Sequence, residues 1–185
     1  MAEDSLPDSM DRTDAFQDYY PDDYAHCFGC GRLNEKGLKI KSYWDGQESV
    51  CRFLPNNHYT GGMETILYGG IIASLIDCHG AGTAAAAKAR ELDIQVKPGN
   101  MPRFVTAALK VDYLAPTPVG VELELRSIVT EIKGRKVIVK VTVSSGETLC
   151  AKGEGVYVQL RDENTDVHRS LRAIMCHEHN RSYLP

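Results

Sequence analysis

One acidic residue, Asp77, interrupts a long apolar stretch of the sequence, IIASLIDCHGAGTAAAAKAR. A carboxylate among apolar side chains is costly to bury unless it is paired or functional, and burial raises its pKa. Asp77 is therefore either a structural residue that hydrogen-bonds a loop or a partner subunit, or a general base or nucleophile in a partly desolvated site. The residue pattern alone leaves both roles open.

Two glycines, Gly69 and Gly70, stand directly before this stretch. At the start of a helix their backbone N–H groups have no intrahelical acceptor and lie at the positive end of the helix dipole, where a developing oxyanion can bind; a simple tight turn is the alternative. Gly69 and Asp77 are eight residues apart, about 12 Å along a helix. Two helices packed antiparallel across a dimer axis would bring the helix start of one subunit to Asp77 of the other.

A second group of candidate residues has the spacing of half a zinc site. His26, Cys27 and Cys30 form this half, and the CHEH segment that begins at Cys176 offers further ligands. The spacing is incomplete and would require the end of the chain to meet its start. The pattern therefore favours a structural turn with reduced thiols, and no metal or cofactor is predicted.

The two residues that follow Asp77 are also chemically capable. His79 is about 200° round the helix from Asp77, which argues against an Asp-His pair within one chain and favours a core or interface histidine. Cys78 has no obvious activating partner, so a small buried thiol is predicted.

The elements that would position these residues follow from periodicity and turn signals. Residues 37–44 and 48–54 predict two strands joined at Asp45-Gly46, and Gly69-Gly70 opens one long helix that ends near Lys88 and Arg90. Four strands rich in β-branched residues follow, over residues 103–114, 121–133, 135–145 and 148–160. This order predicts an α+β fold in which a curled antiparallel sheet wraps round one long central helix.

Composition sets further bounds. The 185 residues are 43% hydrophobic and 25% charged with a net charge of -4, which is ordinary for one globular domain. No apolar run reaches the roughly 20 residues of a membrane span, the acidic start is unlike a signal peptide, and the bases form no dense stripe. We therefore expect a cytoplasmic protein that binds neither membrane nor nucleic acid.

Charge also divides the chain. Residues 1–25 carry eight acids and one base and predict a flexible acidic arm. The side chains of Tyr19, Tyr20 and Tyr24 could attach the end of this arm to the core. Residues 26–160 form the predicted domain, and residues 161–185 a polar tail with a short helix near residues 170–175.

Three motifs carry a resemblance to a known family: CFGCGRLNEKGLKI, YGGIIASLID and FVTAALKVDYLAPT. Together with the valine-rich hairpins, they make residues 27–160 similar to the hot-dog-fold thioesterases, and specifically to the PaaI-like acyl-CoA thioesterases. The resemblance implies hydrolysis of an acyl-CoA to free acid and CoA, without a cofactor, by a homodimer or a dimer of dimers. It implies that Asp77 is the base or nucleophile, that Gly69 is the oxyanion donor, that Thr106 orients the hydrolytic water, and that Gly70 opens the helix.

The sequence departs from the family pattern at two positions. Tyr68 stands where the family commonly has His, and Gly62 where an Asn or Gln is expected. Tyr68 either hydrogen-bonds the substrate or packs, and Glu64 is a candidate for a polar role in the same loop. Because of these departures, a non-catalytic acyl-CoA-binding or scaffold domain remains the alternative function.

Overall fold

The structure is a computed structural model that describes residues 14–161, and within this range it has six strands and one long helix. Two short 3₁₀ helices, Phe16–Tyr19 and Asp22–Tyr24, come first. The remaining elements are β1 (Tyr43–Asp45), β2 (Glu48–Phe53), α1 (Gly69–Glu91), β3 (Phe104–Tyr113), β4 (Leu123–Lys133), β5 (Lys136–Ser145) and β6 (Thr148–Gln159). The predicted order of two strands, one helix and four strands is confirmed. Across the described range, no helix has the length and apolarity needed to cross a membrane.

The six strands form one antiparallel sheet in the order β1-β2-β4-β5-β6-β3, so β3 lies at an edge. The three hairpin turns contain Gly46, Gly134 and Gly146, with φ angles of +63°, +57° and +56°. Only glycine adopts such angles without steric cost, which is why these turns are readable from the sequence.

Helix α1 packs against β3, β4, β5 and β6 and is the centre of the core. The alternating valines of β5, from Val137 to Val143, are at most 1% exposed, as their period of two predicts. Gly80, which weakens an isolated helix, has a packing reason: a Cβ there would lie 2.1 Å from the Tyr157 hydroxyl oxygen. The sheet therefore approaches the helix closely at this point.

The end of the predicted acidic arm is part of this packing. Phe16 and Tyr20 are buried, and the Phe16 N–H donates to the Ser42 carbonyl oxygen at 2.9 Å. Aromatic side chains near the end of the arm therefore bury against the core despite the acids around them, and the domain boundaries at residues 25 and 160 stay predictions. The predicted helix near residues 170–175 lies outside the described residues, as does the rest of the tail beyond Arg161.

The first predicted strand is also shorter than expected. β1 begins at Tyr43, because residues 38–40 bond to the cysteine-containing loop instead of to a strand: Leu38 N–H donates to Phe28 O at 2.7 Å and Ile40 N–H donates to Gly29 O at 3.1 Å. These bonds tie residues 38–40 to the cysteine-containing loop.

Candidate active site

Asp77 of α1 and Thr106 of β3 are in direct contact. Asp77 lies in the third turn of the helix, is half-buried, and accepts a hydrogen bond from the Thr106 hydroxyl at 2.6 Å. The two residues are 29 positions apart in the sequence, and their contact brings together two of the three predicted catalytic residues.

A β-bulge sets the direction of the Thr106 side chain. In β3 the pairing with β6 shifts between Thr106 and Ala108, so that Thr106 pairs with Tyr157 and Tyr113 pairs with Ala151. Seven residues of regular strand would put Thr106 and Tyr113 on opposite faces, but their partners are six residues apart and both buried. The extra residue of the bulge therefore turns both side chains toward the helix face of the sheet.

The environment of Asp77 suits acid–base chemistry. Burial raises the pKa of its carboxyl, and the hydrogen bond from Thr106 offsets part of this rise by stabilising the carboxylate. A carboxylate with a raised pKa is a stronger base than one in water, and the bond from Thr106 occupies only part of its accepting capacity.

Asp77 and Thr106 line a cavity of about 400 Å³ between α1, the start of β3 and residues 20–30. Its walls are mainly aromatic and sulfur-containing side chains: Tyr20, Tyr24, Phe104, Cys27, Cys30 and Cys78. A largely apolar cavity with a few convergent polar groups is the usual form of a small-ligand site.

The helix start forms a separate half of the candidate site. Gly69 lines a second cavity, of about 360 Å³, together with Tyr113, whose hydroxyl donates to the Gly69 carbonyl oxygen at 2.9 Å. Within residues 14–161, the Gly69 N–H has no backbone acceptor. It can therefore donate to an oxyanion, a role that stays a prediction, and Asp77 lies in the other cavity.

The predicted substrate-binding residues lie around this helix start. Tyr68 is 58% exposed, and its ring covers Gly70 so closely that a Cβ on Gly70 would lie 2.4 Å from a ring carbon. This contact favours the packing interpretation of Tyr68. Glu64 is exposed in the preceding loop and lines neither cavity. Roles in substrate binding remain predictions for all three residues.

Three cysteines beside Asp77 form a cluster that sequence reasoning missed. The sulfur atoms of Cys27, Cys30 and Cys78 all lie within 4.8 Å of one another, and those of Cys27 and Cys78 are 3.5 Å apart. Hydrogen bonds from the Cys30 and Cys78 thiols lower the pKa of Cys27. The pKa values of Cys30 and Cys78 are raised, because these thiols donate the bonds and are buried. The pattern Cys-x-x-Cys signals the loop, but nothing local signals Cys78, which is 51 residues from Cys27.

His79 faces away from this site. It is fully buried, its Nδ1 is 2.9 Å from the Ser42 hydroxyl, and burial lowers its pKa to about 3. The prediction of a core histidine that does not pair with Asp77 is confirmed.

Comparison with known proteins identifies the family and the fold. Residues 64–152 match the thioesterase superfamily. A thioesterase superfamily protein of Shewanella loihica, known from its crystal structure, is 45% identical with a TM-score of 0.58, over 76% of this chain and 98% of that protein. The chain therefore belongs to the thioesterase superfamily, and the predicted hot-dog fold is confirmed.

Two further relatives are more distant. The PaaI protein of the phenylacetic acid degradation operon of E. coli has the same fold, with 17% identity and a TM-score of 0.55 over 67% of this chain and 81% of that protein. An esterase-like protein of Saccharolobus solfataricus is 36% identical over 106 residues, which are 57% of this chain and 63% of that protein. The PaaI likeness shows the fold alone, whereas membership of the thioesterase superfamily and the likeness to the esterase-like protein support thioester or ester hydrolysis as the general chemistry. The acyl-CoA substrate, the dimer and the cytoplasmic location stay predictions.

Proposed function

We propose that this protein hydrolyses an acyl-CoA thioester to a free acid and CoA. The hydrogen bond between Thr106 and the Asp77 carboxylate carries the proposal, because it holds a base of raised pKa at the wall of a cavity large enough for an acyl group. Membership of the thioesterase superfamily supports the same reaction.

In the proposed mechanism, Asp77 removes a proton from a water molecule that Thr106 helps to orient. The resulting hydroxide adds to the thioester carbonyl carbon, and the Gly69 N–H stabilises the oxyanion of the tetrahedral intermediate. The carbon–sulfur bond then breaks, and the proton that Asp77 took from water passes to the thiolate of CoA, directly or through solvent, which restores the carboxylate. Direct attack by the Asp77 carboxylate, followed by hydrolysis of the anhydride, gives the same products.

The two halves of this site require two subunits, since they lie in separate cavities of one chain. β3 supports a way to join them: it is an edge strand, and its exposed residues include Val105 and Tyr113, 42% and 55% exposed. An edge with open backbone groups is suited to pairing with a second copy of itself.

The register of such a pairing would bring the halves together. If two copies of β3 pair antiparallel about a point between Leu109 and Lys110, Thr106 of one chain lies opposite Tyr113 of the other. Tyr113 holds the Gly69 carbonyl, so the helix start of one subunit would face the Asp77 cavity of its partner.

The reaction is tested by measuring thiol release from a panel of aliphatic and aromatic acyl-CoAs. We expect turnover of at least one substrate by the wild type and none by Asp77→Ala. Binding of acyl-CoA without thiol release would favour the non-catalytic alternative. Thiol release by Asp77→Ala at the wild-type rate would refute the assigned base.

The composite site is tested by combining two defective chains. Gly69 is the first residue of α1, and Tyr68 before it is extended, so Gly69→Pro removes the N–H at a position where proline is tolerated. Gly69→Ala keeps the N–H and is the matched control. We expect Gly69→Pro to lower turnover by about 10²- to 10³-fold, the usual effect of losing an oxyanion donor, and Gly69→Ala to change it much less.

Co-expression of Gly69→Pro and Asp77→Asn chains then distinguishes the two arrangements. In a mixed dimer, the Gly69 of one chain and the Asp77 of the other complete one site of two, which restores about a quarter of wild-type activity to an equal mixture. A site built within one chain would remain defective in every dimer, and no activity would return.

A further inference from the structure

The three thiols beside Asp77 have the composition and spacing of a metal site. We propose that Cys27, Cys30 and Cys78 bind one Zn²⁺ ion, with a fourth coordination position that faces the Asp77 cavity. This proposal goes beyond the thioesterase function and does not depend on it.

The distances between the sulfur atoms fit a zinc site. Zn–S bonds of about 2.3 Å in tetrahedral geometry place two sulfur ligands about 3.8 Å apart. The Cys27 and Cys78 sulfurs are 3.5 Å apart, and no pair in the cluster exceeds 4.8 Å. Shifts of about an ångström would therefore give the coordination geometry.

The loop that carries Cys27 and Cys30 is shaped to present both sulfurs to Cys78. The Gly31 N–H donates to the Cys27 carbonyl oxygen at 2.8 Å and closes a tight turn. At Gly29, a Cβ would lie 2.3 Å from the Cys78 sulfur, so only glycine lets α1 approach the loop this closely. A Cys-x-x-Cys turn of this kind supplies two ligands in many structural zinc sites.

The cavity also favours a cation. Its described lining includes the carboxylate of Asp77 and no lysine or arginine; the second lining carboxylate, Asp23, already pairs with Arg103 at 3.4 Å. Cys27 is exposed, which gives an ion access. Within residues 14–161, no fourth Cys, His, Asp or Glu ligand atom joins the cluster. The fourth ligand is therefore a water molecule or an added thiol, since zinc accepts either.

The test measures metal bound by the full chain without a histidine tag. Protein is stripped with a chelator under reducing conditions, incubated with Zn²⁺, desalted and analysed by mass spectrometry of the metal. We expect one zinc per chain in the wild type. Cys27→Ser and Cys78→Ser should weaken binding at least about ten-fold. Cys150→Ser is the matched control, because Cys150 is buried but lies outside the cluster, and it should bind as the wild type does.

Cobalt(II) gives an independent readout of the ligands. We expect sulfur-to-cobalt charge-transfer bands in the near ultraviolet for the wild type and Cys150→Ser, reduced in Cys27→Ser. Because Cys27 is exposed, its replacement leaves the core packing intact even if Cys78→Ser fails to fold.

Three results would overturn the proposal. The first is a wild type that retains no zinc under these conditions, including one in which the same thiols are found as a disulfide. The second is undiminished zinc binding by Cys27→Ser and Cys78→Ser. The third is loss of zinc when Cys176, His177 and His179 are replaced while the three-cysteine cluster is intact, since the ion would then belong to the tail.

Discussion

Asp77 and His79 are two positions apart in the sequence and lie on different sides of α1, in opposite environments. His79 is 0% exposed and lies within a chain of hydroxyl groups that includes Ser42 and Ser49. Asp77 is half-buried, accepts one side-chain hydrogen bond from Thr106 and faces a cavity.

The difference separates a residue that stabilises the fold from one that is available for chemistry. The hydroxyl chain continues from Ser49 to Thr83 and Ser127, at 2.5 and 2.6 Å, so the polar groups around His79 are satisfied inside the core. A satisfied buried network contributes to a unique packing. Asp77 instead keeps accepting capacity that is directed at a cavity, and burial of its charge opposes folding rather than favouring it.

The largest expected effect is the loss of turnover in Asp77→Asn. The amide can still accept the bond from Thr106 but cannot take a proton from water, so the rate should fall by about 10²- to 10⁴-fold. Because burial raises the pKa of Asp77, ionisation at neutral pH opposes folding, and the free energy of unfolding should stay the same or increase. Steady-state thiol release and urea unfolding measure the two quantities.

Asp93→Asn is the control for this change, because Asp93 is an exposed aspartate just beyond α1 with a φ of +50° that asparagine also adopts. Its turnover should equal that of the wild type. A large loss of stability in Asp77→Asn, comparable to that expected for His79, would erase the distinction between the two sides of the helix.

His79→Ala should lower stability and leave turnover unchanged, which is the opposite of the result expected for Asp77→Asn. The substitution leaves a cavity and removes the ring that contacts the Ser42 and Ser49 hydroxyls, so the free energy of unfolding should fall by about 3 kcal/mol. Turnover per folded molecule should not change. His58→Ala, at an exposed position in the loop after β2, should alter stability by less than about 0.5 kcal/mol.

Much of this contrast is predictable from the sequence, and the reasons are local. The turn glycines, the valine alternation of β5 and the isolated acid at Asp77 are all visible within a few neighbouring residues, and the angle between Asp77 and His79 follows from helix geometry. The contact of Cys78 with Cys27 and the burial of Phe16 depend on tertiary packing. The β-bulge after Thr106 turns its hydroxyl toward Asp77. The alternation of apolar and polar residues in the sequence does not reveal this bulge.

His79 also predicts how stability changes in acid. Its folded-state pKa, about 3, is below the unfolded value of about 6.5, so the unfolded chain binds a proton over this range while the native protein does not. Stability is therefore full above pH 6.5 and is lost as the pH falls toward 3, by about 2 kcal/mol at pH 5. Urea unfolding at pH 7 and pH 5 should show this loss in the wild type and a smaller one in His79→Ala. An equal loss in both would assign the acid sensitivity to other groups.

The smallest expected effect is that of Thr106→Val, which removes the hydroxyl from the Asp77 side of the helix without a large change of shape. Loss of one hydrogen bond to a charged group should lower turnover by about ten-fold at pH 7. Because that bond lowers the pKa of Asp77, its removal raises this pKa, so the pH at which the rate reaches half its maximum moves upward. Thr106→Ser keeps the hydroxyl and should retain both the rate and the pH profile. A lower rate with an unshifted pH profile in Thr106→Val would mean that Thr106 acts on the substrate or the water rather than on the Asp77 carboxylate. The hydrogen bond from Thr106 would then not adjust the pKa of Asp77, and this difference from His79 would be lost.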